Sequence, residues 1–134
     1  NTAESVKIGA GSARPLAKEI FVDVKGRDSV TGFPRTVSIS SNELSTIINH
    51  SVNQIAAAVK NVLEKTPPEL SSDIIDKGIV MSGGTSLLHN FDKLMTRETG
   101  VPCHVAEDSL LCVVRGTGVA LENIELYKRS ISRK

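Results

Sequence analysis

Between Ser40 and Leu63 lies the stretch that leaves this chain the least choice of fold. Ser40-Ser41-Asn42-Glu43 has the form S-x-x-E. In that form the Ser40 hydroxyl accepts from the amide of Glu43, and the Glu43 carboxylate accepts from the amide of Ser40, so a helix start is marked twice over. Apolar side chains then recur at helical spacing: Leu44, Ile47, Ile48, Val52, Ile55, Val59, Val62 and Leu63. A long helix with one apolar stripe has to lie across a core that other elements supply. Burying the whole stripe would release on the order of 10 kcal/mol of gross transfer energy, before chain entropy is subtracted.

The flanking segments predict those other elements. Val6 and Ile8 read as the end of a helix that Gly9 and Gly11 stop. Ile20, Val22 and Val24 share one face at the strand period, and Val37 and Ile39 alternate with Thr36 and Ser38, giving an antiparallel pair joined across Gly26–Phe33. Thr66-Pro67-Pro68-Glu69 has the form of a second capping box, with proline at the first helical position and a stop at Gly78. Ile79-Val80-Met81 reads as a brief buried strand that Gly83-Gly84 breaks. One helix is expected next, with Leu87, Leu88, Phe91, Leu94 and Met95 inward and Gly100 as its stop, then a strand over Val101–Val105. Ser109 is expected to cap a final helix through Leu110, Val113, Val114, Ala120 and Leu121, and Lys128–Lys134 reads as a basic, frayed end. The later half therefore has the order of a βαβ unit with a parallel sheet, and a division falls near Thr66-Pro67-Pro68.

Composition removes several classes of function. The 134 residues carry 16 basic and 15 acidic side chains, a net charge of +1, which disfavours binding driven by phosphate neutralisation. Aromatics are 3%, with no Trp and one Tyr, so platforms for stacking bases are lacking. No apolar run approaches the roughly 20 residues that span a bilayer. Asn1-Thr2-Ala3-Glu4 lacks the layout of a signal peptide and an initiator Met, so the chain is expected to begin inside a longer protein. Cys103 and Cys112 fit neither a CxxC pair nor a zinc pattern, and are expected to be buried, reduced thiols. His50, His89 and His104 show no metal-ligand spacing; His50 is expected at the margin of the long helix and His89 near the surface. There is no G-x-S-x-G elbow and no G-x-x-x-x-G-K-[ST] loop. Asp76-Lys77-Gly78 precedes a strand, where a phosphate loop would follow one.

The sharpest chemical signal is Ile79-Val80-Met81-Ser82-Gly83-Gly84-Thr85-Ser86. A strand runs into two glycines and then a helix, whose first amides are free for a polar or anionic group. By pattern this is either a ligand-binding turn or a tight strand-to-helix connection. Gly116-Thr117-Gly118 lies inside a helical pattern, where each glycine costs about 1 kcal/mol relative to Ala. A close backbone crossing is the expected compensation. Glu4 and Lys7 share a helix face and, on spacing alone, read as a solvated ion pair.

Several stretches taken together resemble the MreB type of bacterial actin-like proteins. They are Glu4-Ser5-Val6-Lys7-Ile8, Gly11-Ser12-Ala13, Val24-Lys25-Gly26-Arg27-Asp28, Glu69–Gly78 after Thr66-Pro67-Pro68, Gly100–Asp108 and Gly116–Glu122. The resemblance covers nearly the whole chain. It implies a partial actin-like (ribonuclease H-like) α/β ATPase fold. Residues 1–66 would be the smaller subdomain of the second lobe, residues 67–127 the later part of its larger subdomain, and residues 128–134 a basic tail.

The resemblance also implies a role. MreB-type proteins bind ATP with magnesium between two lobes, form filaments beneath the membrane in the cytoplasm, and organise envelope synthesis or cell shape. Gly83, Gly84, Thr85, Ser86 and the adjoining Leu87 match the family's adenosine-contacting turn, with Thr85 where MreB-type turns usually carry a third glycine and actin carries threonine. Glu4, Ser5, Val6 and Lys7 match the segment beside the purine and ribose. The family's phosphate-cradling loops, magnesium-linked acid and water-activating residues have no counterpart in these 134 residues. This chain alone is therefore expected to hold no metal and to hydrolyse no ATP. Its expected partners are further copies of itself, through an exposed loop at residues 26–36, and envelope or shape machinery. No nucleic acid and no direct membrane contact are expected. The competing readings are an interaction or polymerisation module with no nucleotide role, and a piece of another actin-fold ATPase such as a sugar kinase or heat-shock chaperone.

Overall fold

The computed structural model describes residues 2–131, with side chains through Lys128. Helix α1 (Thr2–Ala10) leads into strands β1 (Phe21–Arg27) and β2 (Pro34–Ser40), which pair antiparallel from Phe21 opposite Ser40 to Arg27 opposite Pro34. The ladder runs further than the sequence pattern suggests, so the connection is Asp28–Phe33: Gly26 and Arg27 extend the first strand, and Pro34 and Arg35 extend the second, while Thr36 pairs with Lys25 as a strand residue. The reason is a tip that closes on itself. The amide of Asp28 donates to the carbonyl of Phe33 and the amide of Gly32 to the carbonyl of Asp28, both at 2.9 Å, with Gly32 at φ +74°.

Helix α2 (Ser41–Glu64) opens with both bonds of its capping box: Glu43 amide to Ser40 hydroxyl at 3.1 Å, and Ser40 amide to Glu43 carboxylate at 2.9 Å. Its buried line is narrower than the apolar stripe. Ser41, Ser45, Val52 and Ala56 are buried, and Leu44, Ile48, Val59 and Leu63 are half-buried. Ile47, 73% exposed, together with Ile55 and Val62, faces outward, so the transfer energy falls below the figure for the whole stripe. Small residues mark the contact because they let neighbours come close. The amide of Ser41 donates to the carbonyl of Ile20 at 2.8 Å, and its hydroxyl accepts from the amide of Ile20 at 3.1 Å.

The second capping box does not form. The Thr66 hydroxyl turns back to donate to the carbonyl of Val62 at 2.8 Å, and Pro67 precedes α3 (Pro68–Lys77) without any side-chain cap. Gly78, at φ +78°, ends α3 where an added Cβ would stand 2.6 Å from the carbonyl oxygen of Pro102. Strands β3 (Ile79–Met81) and β4 (Cys103–Val105) pair in parallel, as the βαβ order predicts. However, β3 is not buried: Ile79 and Met81 are half-buried and Val80 is exposed.

The single helix expected after Gly84 is two pieces, a short 3-10 helix (Gly84–Leu87) and α4 (Phe91–Thr99). Between them the carbonyl of His89 is claimed by the amide of Ala13 at 2.8 Å, which draws this backbone toward residues 11–13 and out of helical register. Phe91, Leu94 and Met95 are buried, Leu88 is half-buried and Leu87 is exposed.

One core joins these parts: Ala13, Val52, Ala56, Phe91, Leu94, Met95 and Cys103, drawn from both sides of residue 66. Lys60 on α2 and Glu98 on α4 form an ion pair at 2.8 Å above it, and Lys60 holds the Glu98 carboxyl below its ordinary range. Helices α5 (Cys112–Glu122) and α6 (Ile124–Ile131) stand outside this core. No residue of α5 is buried, and Leu110, Val113, Val114 and Leu121 are exposed rather than inward. Leu111, not Ser109, precedes its first turn. A Cβ added at Gly116 or Gly118 would meet nothing within 4 Å, so the expected close crossing is absent among the described residues. Cys103 is buried as expected, but Cys112 is only half-buried; both are free thiols. Of the expected frayed tail, residues 128–131 continue α6, where Lys128 pairs with Glu125, and residues 132–134 lie outside the described residues.

Candidate functional site

β3 delivers the chain into Ser82-Gly83-Gly84-Thr85-Ser86, and the turn is fixed chiefly through Gly83. Gly83 has φ +86°, a conformation that side chains with a Cβ avoid, and the space where that Cβ would stand is open. Its amide donates to the carbonyl of Ser109 at 2.8 Å. Its carbonyl accepts from the Ser86 amide at 3.2 Å, the Ser86 hydroxyl at 2.7 Å and the Ser109 hydroxyl at 3.4 Å. Buried Ser109 therefore clamps the turn from both sides, while Leu110 backs Gly84. Local spacing predicts a helix cap for Ser109, and nothing in it signals a clamp on a residue 26 positions earlier.

The five residues of the turn divide by role. Ser86 is buried and shapes the turn, Gly83 is half-buried, and Gly84, Thr85 and Leu87 are exposed. The first amides of a helix have no partner within it, so Gly84 and Thr85 offer two donors and a hydroxyl at the surface. None of residues 82–87 has a titratable side chain, so the turn can bind and orient a group but cannot transfer a proton.

The second segment lies on α1. Glu4, Ser5 and Lys7 are exposed, whereas Val6, 6% exposed, is a packing residue whose side chain faces inward. Among the described residues no ion pair joins Glu4 to Lys7, so the simple reading from their spacing is not realised. The end of α1 is stitched to the segment that follows the turn. The amide of Gly11 donates to the carbonyl of Lys7 at 2.8 Å, and an added Cβ at Gly11 would stand 2.3 Å from that oxygen and 3.0 Å from Leu88. The Ser12 hydroxyl lies 3.0 Å from the carbonyl of His89, and Asn90 donates to that hydroxyl at 3.5 Å. The two candidate segments thus meet through residues 11–13 and 88–90.

Elsewhere there is little competing chemistry. His50, exposed, bonds to Gln54 within α2, and His89 and His104 are exposed. Among the described residues no cluster of His, Cys, Asp and Glu could hold a metal ion, and no helix is long and apolar enough to cross a membrane.

Comparison with known proteins gives this geometry a context. The family model described as MreB/Mbl protein matches residues 1–129. The cell shape-determining protein Mbl of Bacillus cereus is 45% identical over 131 residues, covering 97% of this chain and 39% of that protein. The cell shape-determining protein MreB of Escherichia coli is 44% identical over 126 residues, covering 94% of this chain and 36% of that protein. Among solved structures, MreB5 of Spiroplasma citri bound to ADP superposes with a TM-score of 0.86 at 37% identity, over 99% of this chain and 40% of that one. The same protein bound to AMPPNP gives 0.85 at 36% identity, over 96% of this chain and 39% of that one. The chain thus spans about two fifths of the length of these relatives.

Proposed function

Because this chain belongs to the MreB/Mbl family, we propose that it is the adenosine side of an ATP-binding, filament-forming, actin-like protein that controls cell shape by organising envelope synthesis. The observation that carries the reading is the turn at Gly83–Leu87, open at Gly83 and exposed at Gly84 and Thr85, within a fold that superposes on a nucleotide-bound relative at a TM-score of 0.86. A turn with free amides, a hydroxyl and no Cβ at its apex suits the close approach of a polar, flat ligand. Glu4, Ser5 and Lys7, exposed on α1, would form the other wall, with Val6 holding that helix in place. Residues 1–66 would then be the smaller subdomain of the second lobe and residues 67–127 the later part of the larger one.

Magnesium and the phosphates would be held by parts of a longer protein. The chain alone would bind the nucleoside weakly and hydrolyse nothing. Calorimetric titration with magnesium-ATP and with adenosine tests this. Weak binding of both with similar affinity, lost in Gly83→Val, is the expected result. Binding of neither, by a chain whose circular dichroism shows it folded, removes the nucleotide reading and leaves an interaction module.

Self-assembly in the cytoplasm beneath the membrane is the second part of the proposal, with the hairpin tip as a longitudinal contact. Val30 and Phe33 stand 92% and 73% exposed on a loop held by its own bonds. A rigid apolar tip loses little entropy on docking. Replacing Phe33 by Ser and Arg35 by Ala in a full-length protein carrying this chain should raise the critical concentration for polymerisation; unchanged polymerisation removes the tip from the contact.

A further inference from the structure

Gly11, Ser12 and Ala13 are buried, yet they belong to no helix and to neither sheet. Ser12, at 0% exposure, forms an isolated parallel bridge with His89. Its hydroxyl has one proton and two carbonyls in reach, that of Arg14 at 2.6 Å and that of His89 at 3.0 Å. The same oxygen accepts from the Arg14 amide at 3.4 Å and from the side-chain amide of Asn90 at 3.5 Å. Ala13, whose amide donates to the His89 carbonyl at 2.8 Å, anchors the segment in the core. Asn90 is left-handed at φ +58°, the bend from which α4 starts.

These bonds reach the turn by a short route. The Leu88 amide donates to the Thr85 carbonyl at 3.1 Å, and the Leu88 carbonyl accepts from the amide of buried Phe91 at 3.1 Å. The 3-10 helix that carries Thr85 is therefore tied at its near end by Gly83 and Ser109, and at its far end by residues 88–90. Residues 88–90 are in turn held by Ser12 and Ala13. In the other direction the Gly11 amide donates to the Lys7 carbonyl, so the same three residues tie down the end of α1. One short segment thus touches the supports of both candidate walls.

We propose, on the reading of residues 83–87 as a nucleoside contact, that residues 11–13 are a strap that sets the spacing of the two walls, and that Ser12 is its positioning residue. At 0% exposure Ser12 cannot touch a ligand itself. It acts through His89 and Asn90, which fix where Gly84 and Thr85 stand relative to Glu4, Ser5 and Lys7. Walls held in place before the ligand arrives lose little freedom when it binds, and a supporting shell that slackens is felt at the site. A serine that only filled the core would change stability and leave the shape of the turn alone.

Nuclear magnetic resonance of the 134-residue chain, with adenosine as the probe, separates the two roles. Ser12→Ala removes the hydroxyl and keeps the bond from the Ala13 amide. In that variant, shown to be folded by circular dichroism, the Gly84 and Thr85 amide resonances should shift before any adenosine is added. Its adenosine affinity should fall about tenfold. Asn90→Val puts a branched side chain at a φ it resists and should act in the same way, whereas Asn90→Gly takes that φ freely and should lose less. Folded Ser12→Ala and Asn90→Val chains with the parent's Gly84 and Thr85 resonances and the parent's affinity overturn the proposal. A parent chain that binds no adenosine defeats the nucleoside reading instead. Shifted Gly84 and Thr85 resonances in the variants then still support the strap, and unshifted ones overturn it.

Discussion

Asp28 stands at the hairpin tip, where its carboxylate accepts from the amides of Val30 and Thr31, each at 2.9 Å, and meets Arg35 at 3.0 Å. Those two amides, Thr31 first and then Val30, and the Arg35 guanidinium lower its pKa from 3.8 to about 2. A depressed carboxyl stabilises the folded tip at pH values above its unfolded value, and the contribution is lost as pH falls through the folded one. The window therefore runs from pH 3.8 down to about 2. Amide shifts of Val30 and Thr31 should titrate with a midpoint near 2, while Asp28→Asn, which keeps an acceptor but no charge, should abolish the titration and retain the turn. A midpoint near the ordinary value of 3.8 would mean the carboxylate is not engaged. At this scale the sequence is legible where one residue type has one use. The glycine pair marked the turn at Gly83 because a φ of +86° favours glycine. Ser109 was not legible, because a serine near a helix start has a local use that hides a distant one.

At the scale of elements, two S/T-x-x-E sequences have different outcomes, and the difference is a matter of competition. Ser40 follows an extended strand and has its amide and hydroxyl free for Glu43, so both box bonds form. Thr66 follows the last turn of α2, and its hydroxyl donates back to the Val62 carbonyl, which also accepts from the Lys65 amide at 3.2 Å, rather than serving Glu69. Ser40→Ala should therefore cost about 1 kcal/mol of stability in urea unfolding, within the range for a lost N-cap, while Thr66→Ala costs a few tenths. Equal losses in the two variants would refute the distinction. The same competition explains the broken helix after Gly84. Apolar spacing carries a continuous helix through Leu88, but the Ala13 amide and the Ser12 hydroxyl both claim the His89 carbonyl, and Asn90 is left-handed at φ +58°, none of which a local window shows. Periodicity therefore recovered the order of the main helices and strands, but not the 3-10 turn split from α4 or the separate helix α6. It missed the places where a partner distant in sequence claims the backbone.

At the scale of the whole molecule, inward and outward were the least legible property. Ile47, Ile55, Val62, Val80, Val113 and Val114 all satisfy an apolar pattern, yet all are exposed. Periodicity reports which residues avoid water, not whether the surface that would shield them lies in the same 134 residues. What is shielded is a small core, and its composition decides how the chain unfolds. Val52 and Ala56 on α2 share it with Phe91, Leu94 and Met95 on α4 and with Cys103 on β4. A cut at residue 66 divides the sequence but crosses the middle of this cluster, so α2 has no separate core to retain when α4 loosens. Met95, 2% exposed, lies at its centre and also walls an apolar hollow. Met95→Ala should cost about 2–3 kcal/mol, the lower part of the range for such truncations, because neighbours can settle into the adjoining hollow. The loss should be shared. Native-state hydrogen exchange should show amides of α2 and of β3 losing protection by the same free energy, since both depend on one cooperative unit. If α2 keeps its protection while β3 and β4 lose theirs, residues 1–66 stand on their own and the shared core is not what holds the chain together.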